Sequence, residues 1–257
     1  MKTLSGKKAV ITGGSDGIGF GIAKALANNG ADVLLIARDP DKLKRASAEL
    51  ARNGVAVKAI SADLSDASAV EKISAQLLAE WSELSILVNN AGIARFTPFS
   101  EVTESEFDLH LNMNVKVPYL LTQRVLPALE KAKGSVINIS SYFALRMLPG
   151  RPSSVYSMTK GAINSFTKAL AFELGPRGVR VNAIAPGTVN TPLVQSNINR
   201  LSEEGKNKFY ESIKTIYPLG RIGEPEDLGG IAVYLASDEA KWVTGSVISI
   251  DGGLTTS

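Results

Sequence analysis

Cysteine is missing from the sequence, and histidine occurs once among its 257 residues, as His110. The absence of cysteine excludes a disulfide framework, a thiolate zinc site, an iron–sulfur cluster and a cysteine nucleophile. A single imidazole also excludes any metal site or catalytic mechanism that requires two histidines. If the chain is an enzyme, other groups must therefore move its protons.

The sequence also lacks a strong excess of one charge and long hydrophobic runs. It carries 28 Lys and Arg against 25 Asp and Glu, a net charge of +3, which is too mild and too evenly dispersed for a nucleic-acid surface. No run approaches the roughly 18 consecutive apolar residues of a membrane-spanning helix, and residues 1–8 contain no apolar segment typical of a signal peptide. We therefore expect a cytoplasmic protein that binds neither nucleic acid nor membrane.

Apolar, β-rich segments alternate with longer amphipathic segments along the chain. The β-rich segments are almost continuously hydrophobic, as expected of strands that are buried on both faces. The strand candidates are residues 8–12, 32–37, 56–61, 86–89, 135–140, 180–185 and 247–250. The helix candidates are residues 17–29, 41–53, 66–81, 103–130, 154–175 and 225–236. This alternation predicts an α/β fold in one domain covering residues 1–257, with a doubly wound, parallel seven-stranded sheet and helices on both faces.

One long segment, residues 188–224, falls outside this alternation. It is polar, contains scattered Asn and Gly, and is weakly helical between residues 202 and 216. Long excursions of this kind are usually functional lids or mobile surface segments. We expect this segment, which follows the sixth predicted strand, to be a substrate lid.

A glycine-rich turn follows the first predicted strand. Residues 12–19, Thr-Gly-Gly-Ser-Asp-Gly-Ile-Gly, connect that strand to an amphipathic helix. Glycine lets the backbone turn sharply and approach a diphosphate, whose charge is favoured at a helix N-terminus. The same residues match the G-x-S-x-G nucleophile elbow of hydrolases, but only one strand precedes Ser15, and His110 would have to be the base. The context therefore favours a dinucleotide-binding turn.

The residues after the second predicted strand bear on the choice between NADP and NAD. In dinucleotide sites an acid at this strand end binds the ribose 2′-hydroxyl, whereas arginine suits a 2′-phosphate. Here the strand ends with the uncharged Ala37 and is followed by Arg38. Asp16 and Asp39 could repel a phosphate if they face it. We expect NADP(H) in preference to NAD(H), with NAD(H) as the alternative.

Further polar turns follow the third and fourth predicted strands. They are Asp63-Leu64 and Asn89-Asn90-Ala91-Gly92. Ligands of doubly wound sheets bind at the carboxyl ends of the strands. These turns and the glycine-rich turn are therefore expected to meet in one crevice.

The pair Tyr156 and Lys160 is the most informative feature for catalysis. The two residues lie four positions apart, on one face of a predicted helix. An ammonium group near a phenol stabilises the phenolate and lowers its pKa from about 10. A tyrosine with a pKa nearer neutrality is a better acid–base catalyst.

Together these segments resemble the short-chain dehydrogenase/reductase family, which has a Rossmann fold, and the resemblance covers essentially the whole chain. The matching positions are residues 12–19, the cofactor motif; 89–92, the Asn-Asn-Ala-Gly motif; Asn114; Ser141; 156–160, the Tyr-x-x-x-Lys motif; 186–191, a Pro-Gly segment; and 251–253, a common C-terminal ending.

The resemblance implies an NADP(H)-dependent enzyme that transfers a hydride between nicotinamide and a ketone or secondary alcohol, such as a carbonyl reductase or a 3-oxoacyl reductase. Tyr156 is implied as general acid and base, and Lys160 as the residue that lowers its pKa and binds the nicotinamide ribose. Ser141 is implied as a hydrogen-bond donor to the substrate oxygen, and Asn114 as the holder of a water molecule. No metal is implied.

The cofactor-binding residues implied by the same resemblance lie mainly in the turns described above. They are Gly13, Ser15, Asp16, Gly17, Ile18, Gly19, Arg38, Asp63, Leu64, Asn90, Ala91, Gly92, Tyr156, Lys160, Pro186, Gly187, Val189 and Thr191. The resemblance also implies a homotetramer, in which the predicted helices 103–130 and 154–175 pair across a two-fold axis. An NAD-dependent alcohol dehydrogenase and a non-catalytic dinucleotide-sensing scaffold are the alternatives.

The substrate pocket is implied to lie between residues 95–99, 141–153 and 188–224. Its candidate apolar lining is Phe96, Phe99, Tyr142, Phe143, Leu145, Met147, Leu193, Phe209 and Tyr210. This composition favours a pocket that accepts apolar or aromatic groups. Arg95, Arg146 and Arg151 could instead bind an anionic group.

Two single residues are harder to interpret. We expect His110 to lie at the surface or in an interface, without a catalytic role. Pro118 lies inside the predicted helix 103–130, where it either kinks the helix or begins a new turn.

Overall fold

A parallel sheet forms the centre of the computed structural model, which describes residues 3–66, 68–199 and 201–256. Its strands are β1 (Lys8–Thr12), β2 (Asp32–Ala37), β3 (Val57–Ser61), β4 (Ile86–Asn89), β5 (Ser135–Ile139), β6 (Arg180–Pro186) and β7 (Val247–Ile250). Across these described residues the seven strands follow the order β3-β2-β1-β4-β5-β6-β7, and all neighbours are parallel. The predicted doubly wound sheet is confirmed, and each predicted strand end lies within one residue of the observed end.

Helices cover both faces of the sheet. They are α1 (Gly17–Asn28), α2 (Pro40–Ala51), α3 (Ala69–Glu80), α4 (Glu104–Leu111), α5 (Val117–Ala132), α6 (Ser154–Leu174), α7 (Pro192–Asn199), α8 (Glu203–Ile216) and α9 (Gly229–Ala236). The prediction of one helix over residues 103–130 is wrong, because a π-helical turn at Asn112–Lys116 separates α4 from α5. Within the described ranges, none of the helices has the length and hydropathy that crossing a membrane requires.

The central strands bury side chains on both of their faces. Val10 of β1 belongs to a buried cluster that includes Leu121 of α5, with further members from α3 and α6. The next residue, Ile11, belongs to a second cluster that includes Ile22 of α1, with further members from α2 and α9. Burial on both faces explains why these strands are continuously apolar in the sequence.

The position of Pro118 settles the two alternatives left open by the sequence. Pro118 is the second residue of α5 and is buried. Proline is well tolerated in the first turn of a helix, where its missing N–H group would have no intrahelical acceptor. Pro118 therefore begins a new helix, directly after the π-helical turn.

His110 is fully buried in α4, so the expected surface or interface position is wrong. Its Nδ1 lies 2.9 Å from the Glu106 carbonyl oxygen, and the Arg95 N–H group donates to its Nε2 at 3.3 Å. A carbonyl accepts from Nδ1 while Nε2 accepts from an N–H group, which is the pattern of a neutral imidazole. His110 thus attaches the segment after β4 to α4.

Within the described residues of segment 188–224 there are two helices, α7 and α8, of which the sequence indicated only α8. Ile213 of α8 is buried with Tyr142 and Phe143, which follow β5, and Phe209 packs against the same cluster. The segment therefore packs against residues at the carboxyl end of the sheet, next to the sites predicted from the sequence.

Candidate active site

The turns at the carboxyl ends of the strands meet in one crevice. Described residues form two adjoining cavities there, of about 570 Å³ and about 300 Å³, which we call the Arg38 cavity and the Tyr156 cavity after one residue of each. Gly13, Ala91 and Gly92 line both. The crevice opens where the strand order reverses, between β1 and β4, which is where doubly wound sheets bind ligands.

Most of the predicted site residues line these cavities. Those in the Arg38 cavity are Gly13, Ser15, Asp16, Arg38, Asp63, Leu64, Ala91 and Gly92. Those in the Tyr156 cavity are Gly13, Ile18, Asn90, Ala91, Gly92, Ser141, Tyr156, Lys160, Pro186, Gly187 and Thr191. Gly17, Gly19, Asn114 and Val189 are not among the lining residues. Gly17 and Gly19 lie in the first turn of α1, and Val189 is buried and forms a β-bridge to Gly223.

The turn after β1 has room only for glycine at two positions. A Cβ on Gly19 would lie 2.2 Å from the Gly13 carbonyl oxygen and 2.5 Å from the side-chain nitrogen of Asn90. Gly13 has a φ of +65°, and a Cβ there would lie 2.8 Å from the same nitrogen. The turn therefore presents bare backbone, followed at once by the N-terminus of α1, as a bound diphosphate requires. These residues fit a dinucleotide cofactor.

Side-chain hydrogen bonds join the turns after β1 and β4. The Thr12 hydroxyl accepts the N–H groups of Asn90 and Ala91, each at 3.0 Å. The Asn90 side-chain amide donates to the carbonyl oxygens of Thr12 at 2.9 Å and Gly13 at 3.2 Å. Asn90 therefore fixes the shape of the crevice as well as lining it.

Acidic and basic side chains are paired in the Arg38 cavity. Asp16 caps α1 and also forms an ion pair with Lys42, with 2.6 Å between Oδ2 and Nζ. Asp39 accepts the Lys42 N–H group at 3.0 Å, and this bond above all lowers the pKa of Asp39. Both carboxylates that could repel a phosphate are therefore engaged within the protein, while Arg38 is exposed.

Lys42 is a site residue that the sequence reasoning missed. It lies in the first turn of α2, where Asp39 is the N-cap and Pro40 the first helical residue. An Asp-Pro pair is a helix-start signal. From this pair, the first turn of α2, which contains Lys42, could have been predicted to follow directly after β2. Arg95 also lines this cavity. The sequence analysis placed it at the substrate pocket, and no signal in the sequence indicated that it lies in the Arg38 cavity instead.

Ser141, Tyr156 and Lys160 come together in the Tyr156 cavity. Ser141, which follows β5, and Tyr156 on α6 line the same cavity, and the Ser141 side chain favours the phenolate of Tyr156. Lys160 lies one helical turn further along α6, and its Nζ donates to the Ile139 carbonyl oxygen at 2.7 Å and lies 5.7 Å from the centre of the Tyr156 ring. Two hydroxyl groups beside a buried ammonium group can bind an oxygen atom and exchange a proton with it.

Burial determines the proton affinity of both titratable groups. It lowers the pKa of Lys160 from 10.5 to about 8. It raises the pKa of Tyr156 above its ordinary value, and the hydrogen bond with Ser141 opposes this rise. The expected lowering of the Tyr156 pKa by Lys160 is therefore wrong for this structure, because burial penalises the phenolate and the ammonium group donates to the Ile139 carbonyl oxygen.

Asn114 lies next to these three residues, in the π-helical turn. Its Oδ1 accepts the Ile93 N–H group at 2.8 Å. Its Nδ2 donates to the Ile93 carbonyl oxygen at 2.9 Å and to the Thr159 hydroxyl at 3.0 Å. Asn114 therefore joins the segment after β4 to α6, while its expected role in holding a water molecule stays a prediction.

A larger cavity, of about 710 Å³, lies at the opposite edge of the sheet, where the strands begin. Its charged groups bind one another or the backbone: Lys7 pairs with Asp238 at 2.7 Å, and Arg180 donates to the Leu235 carbonyl oxygen at 2.6 Å. Each of the two cavities at the carboxyl edge is smaller, but together they combine hydroxyl groups, a buried lysine and a glycine turn. The crevice is therefore the candidate active site.

Known proteins share this fold. A family model described as enoyl-(acyl carrier protein) reductase matches residues 13–255. The chain is 36% identical to oxidoreductase UcpA of Salmonella typhimurium over 255 residues, which cover 99% of this chain and 97% of that protein. The chain belongs to the short-chain dehydrogenase/reductase family.

Relatives of this chain are named for different activities. The chain is 37% identical, over 256 residues, to 3-oxoacyl-[acyl-carrier-protein] reductase FabG of Chlamydia muridarum, with 98% of each covered. It matches the structure of L-sorbose reductase from Gluconobacter frateurii, complexed with NADPH and L-sorbose, with a TM-score of 0.92, 30% identity and 100% of both chains covered. The protein is therefore an oxidoreductase with a single-domain Rossmann fold, and its crevice suits a nicotinamide dinucleotide.

The crowding at Gly19 leads to a testable prediction. In Gly19→Ala the new methyl group meets the Gly13 carbonyl oxygen, so we expect a loss of about 1–3 kcal/mol in the free energy of unfolding and weaker NADPH binding. Urea unfolding and a fluorescence titration with NADPH measure the two effects. The control is Gly230→Ala, a helical glycine whose Cβ would meet no atom within 4 Å. Equal stability of the two variants would contradict the crowding argument.

Proposed function

We propose that the protein is an NADP(H)-dependent oxidoreductase that interconverts a ketone and a secondary alcohol, with Tyr156 as general acid and base. The observation that carries this proposal is that Ser141, Tyr156 and the buried Lys160 line one cavity, which also reaches Gly13 of the glycine-rich turn. A protein that only senses a dinucleotide has no need of a proton-transferring group, so the arrangement favours an enzyme over a non-catalytic scaffold.

The cofactor would extend along both cavities. The N-terminus of α1 would bind its diphosphate, and the Arg38 cavity its adenosine half. Pro186, Gly187 and Thr191 line the Tyr156 cavity from the end of β6 and would contact the nicotinamide. When bound, the nicotinamide supplies the hydride in reduction and accepts it in oxidation.

Tyr156 would donate a proton during reduction. Its pKa lies above the ordinary value of 10.0 because of burial, so the phenol is protonated at neutral pH and has a proton to transfer to the carbonyl oxygen of the substrate. Ser141 would donate a hydrogen bond to the same oxygen and stabilise its developing negative charge. Lys160, with a pKa lowered to about 8 by burial, releases a proton readily enough to restore the Tyr156 hydroxyl.

Removal of the Tyr156 hydroxyl tests this assignment. We expect Tyr156→Phe to abolish turnover and to leave the dissociation constant for NADPH nearly unchanged, because only the proton donor is lost. Steady-state rates and NADPH titration measure the two quantities. Tyr234→Phe, on α9 away from the cavity, is the control and should keep its activity. A Tyr156→Phe enzyme that retained more than a few per cent of the rate would refute the role of Tyr156.

We also propose NADP(H) as the preferred cofactor. Arg38 is exposed at the end of β2, and Lys42 lies in the same cavity. The ion pair with Lys42 neutralises Asp16, and Asp39 caps α2, so neither acid leaves an unpaired charge against a 2′-phosphate. The L-sorbose reductase structure, with NADPH bound, agrees with this choice.

Reversal of the charge at Arg38 tests the cofactor preference. A charged hydrogen bond to phosphate is worth about 1.5–3 kcal/mol, so Arg38→Asp should reduce the preference for NADPH over NADH by roughly 10- to 150-fold. The ratio of kcat/KM for the two cofactors measures it. The matched control is Arg52→Asp at the other end of α2, which should leave the ratio unchanged. If the ratio of kcat/KM with NADPH to kcat/KM with NADH is unaltered in Arg38→Asp, a group other than Arg38 binds the 2′-phosphate.

We further propose a homotetramer that uses the outer faces of α5 and α6. Tyr119 and Phe166 pack against each other across these helices, with ring centres 5.4 Å apart, and Tyr119 is 49% exposed. Phe172, on α6, is 86% exposed. Helices with apolar residues on an outer face require a second partner to cover them.

Light scattering tests the assembly. We expect a mass four times that of the chain, and a smaller species for Phe172→Lys, because the introduced charge would be buried in the contact. Phe99→Lys, at a residue 83% exposed near the crevice, is the control and should keep the wild-type mass. A monomeric wild-type protein at micromolar concentration would disprove the proposal.

A further inference from the structure

We propose that the substrate carries an aromatic or bulky apolar group next to the reacting carbon, and that Phe96 selects for it. This inference rests on the proposed interconversion of a ketone and a secondary alcohol, and it narrows the substrate class. It distinguishes this protein from relatives that are named for substrates with many hydroxyl groups or an acyl carrier.

Two phenylalanine rings flank the ring of Tyr156. Phe96, after β4, and Phe143, after β5, lie with their ring centres 5.9 Å and 5.7 Å from that of Tyr156, both in edge-to-face geometry. The two phenylalanines also contact each other, with 5.2 Å between ring centres. The two phenylalanines do not line the Tyr156 cavity itself, so a substituent that extends from the carbonyl past the Tyr156 ring would meet this aromatic surface, which favours aromatic and apolar groups.

Phe96 still has surface available for a ligand. Its side chain is 41% exposed, whereas Phe143 is 3% exposed and belongs to the buried cluster with Tyr142. The preceding residue, Arg95, is bound through its N–H group to the buried His110. Phe96 is therefore an exposed apolar side chain next to a fixed backbone position, as a recognition residue requires.

Exposed apolar residues continue around the entrance. Leu193, at the start of α7, lines the Tyr156 cavity and is 56% exposed. Leu145 and Met147, between Ser141 and Tyr156 in the chain, are about equally exposed. Large apolar side chains that stay exposed beside a cavity indicate a binding surface for apolar groups.

The arginines that could bind an anionic substrate have other contacts. Arg146 donates to the Leu254 carbonyl oxygen. Arg151 lies 3.4 Å from the Tyr142 hydroxyl and 5.8 Å from the centre of the Phe209 ring. Arg95 lines the Arg38 cavity instead. Among the described residues that line the Tyr156 cavity there is therefore no guanidinium group for a carboxylate or phosphate.

The polar side chains of the Tyr156 cavity are mostly committed to the fold. Ser140 donates to Asn164 at 2.6 Å, and Lys160 donates to a backbone carbonyl oxygen. The Asn90 amide is likewise bound to the turn after β1. Ser141 and Tyr156 suffice to bind one carbonyl oxygen. A chain of hydroxyl groups would lose its hydration here without gaining equivalent hydrogen bonds, which is unfavourable.

A substrate comparison with NADPH tests the inference. We expect acetophenone to be reduced with a kcat/KM at least about tenfold above that for L-sorbose. We also expect the kcat/KM for acetophenone to exceed the kcat/KM for the N-acetylcysteamine thioester of acetoacetate. In Phe96→Ala the kcat/KM for acetophenone should fall by about tenfold, mainly because KM rises. The kcat/KM for the small ketone butanone should change little.

The matched control is Phe107→Ala, on α4, at a phenylalanine that is 37% exposed and lines neither cavity of the crevice; it should leave all these values unchanged. The unfolding temperature of Phe96→Ala should match the wild type, since a structural role alone would lower it. A kcat/KM for L-sorbose or for the thioester that is higher than the kcat/KM for acetophenone would overturn the inference and support the proposed function. NADPH binding without reduction of any of these carbonyls would overturn both.

Discussion

The close contact between the turn after β1 and the turn after β4 is the constraint on which the crevice depends. Gly19, Gly13 and Asn90 approach so closely that a single added carbon would overlap a backbone oxygen. Thr12 and Asn90 then bond the two turns to each other. This contact occurs where the strand order reverses, between β1 and β4, and residues of both turns line the crevice. The cofactor crevice is thus a consequence of how the centre of the sheet is packed.

The sheet was predictable because each central strand is buried on both faces, which produces an uninterrupted apolar run. Helix boundaries were less predictable where tertiary contacts override local pattern. The π-helical turn before Pro118 is an example, since Asn114 is held there by Ile93 and Thr159, which are distant in the chain. The sequence placed Asn114 in the site but contained nothing that revealed these partners.

His110 and Lys42 show two different limits of sequence reasoning. A lone histidine in a helix whose other residues are not buried gives a weak amphipathic signal, and its backbone partner Arg95 lies 15 residues earlier. Lys42 could have been found, since an Asp-Pro helix start was visible before it. What the sequence could not supply was the ion pair with Asp16, because that contact depends on how α1 and α2 pack.

Burial links the proton chemistry of Tyr156 to the shape of its surroundings. An isolated Tyr–Lys pair on a helix face predicts a lowered phenol pKa, but in the structure burial raises the pKa of Tyr156. The rings of Phe96 and Phe143 lie against Tyr156, and aromatic neighbours of this kind both exclude water and favour the neutral phenol. The same apolar surroundings that keep Tyr156 protonated also repel hydrated hydroxyl groups of a substrate. The protonated state of Tyr156 and the proposed preference for an apolar ketone would therefore share one physical cause.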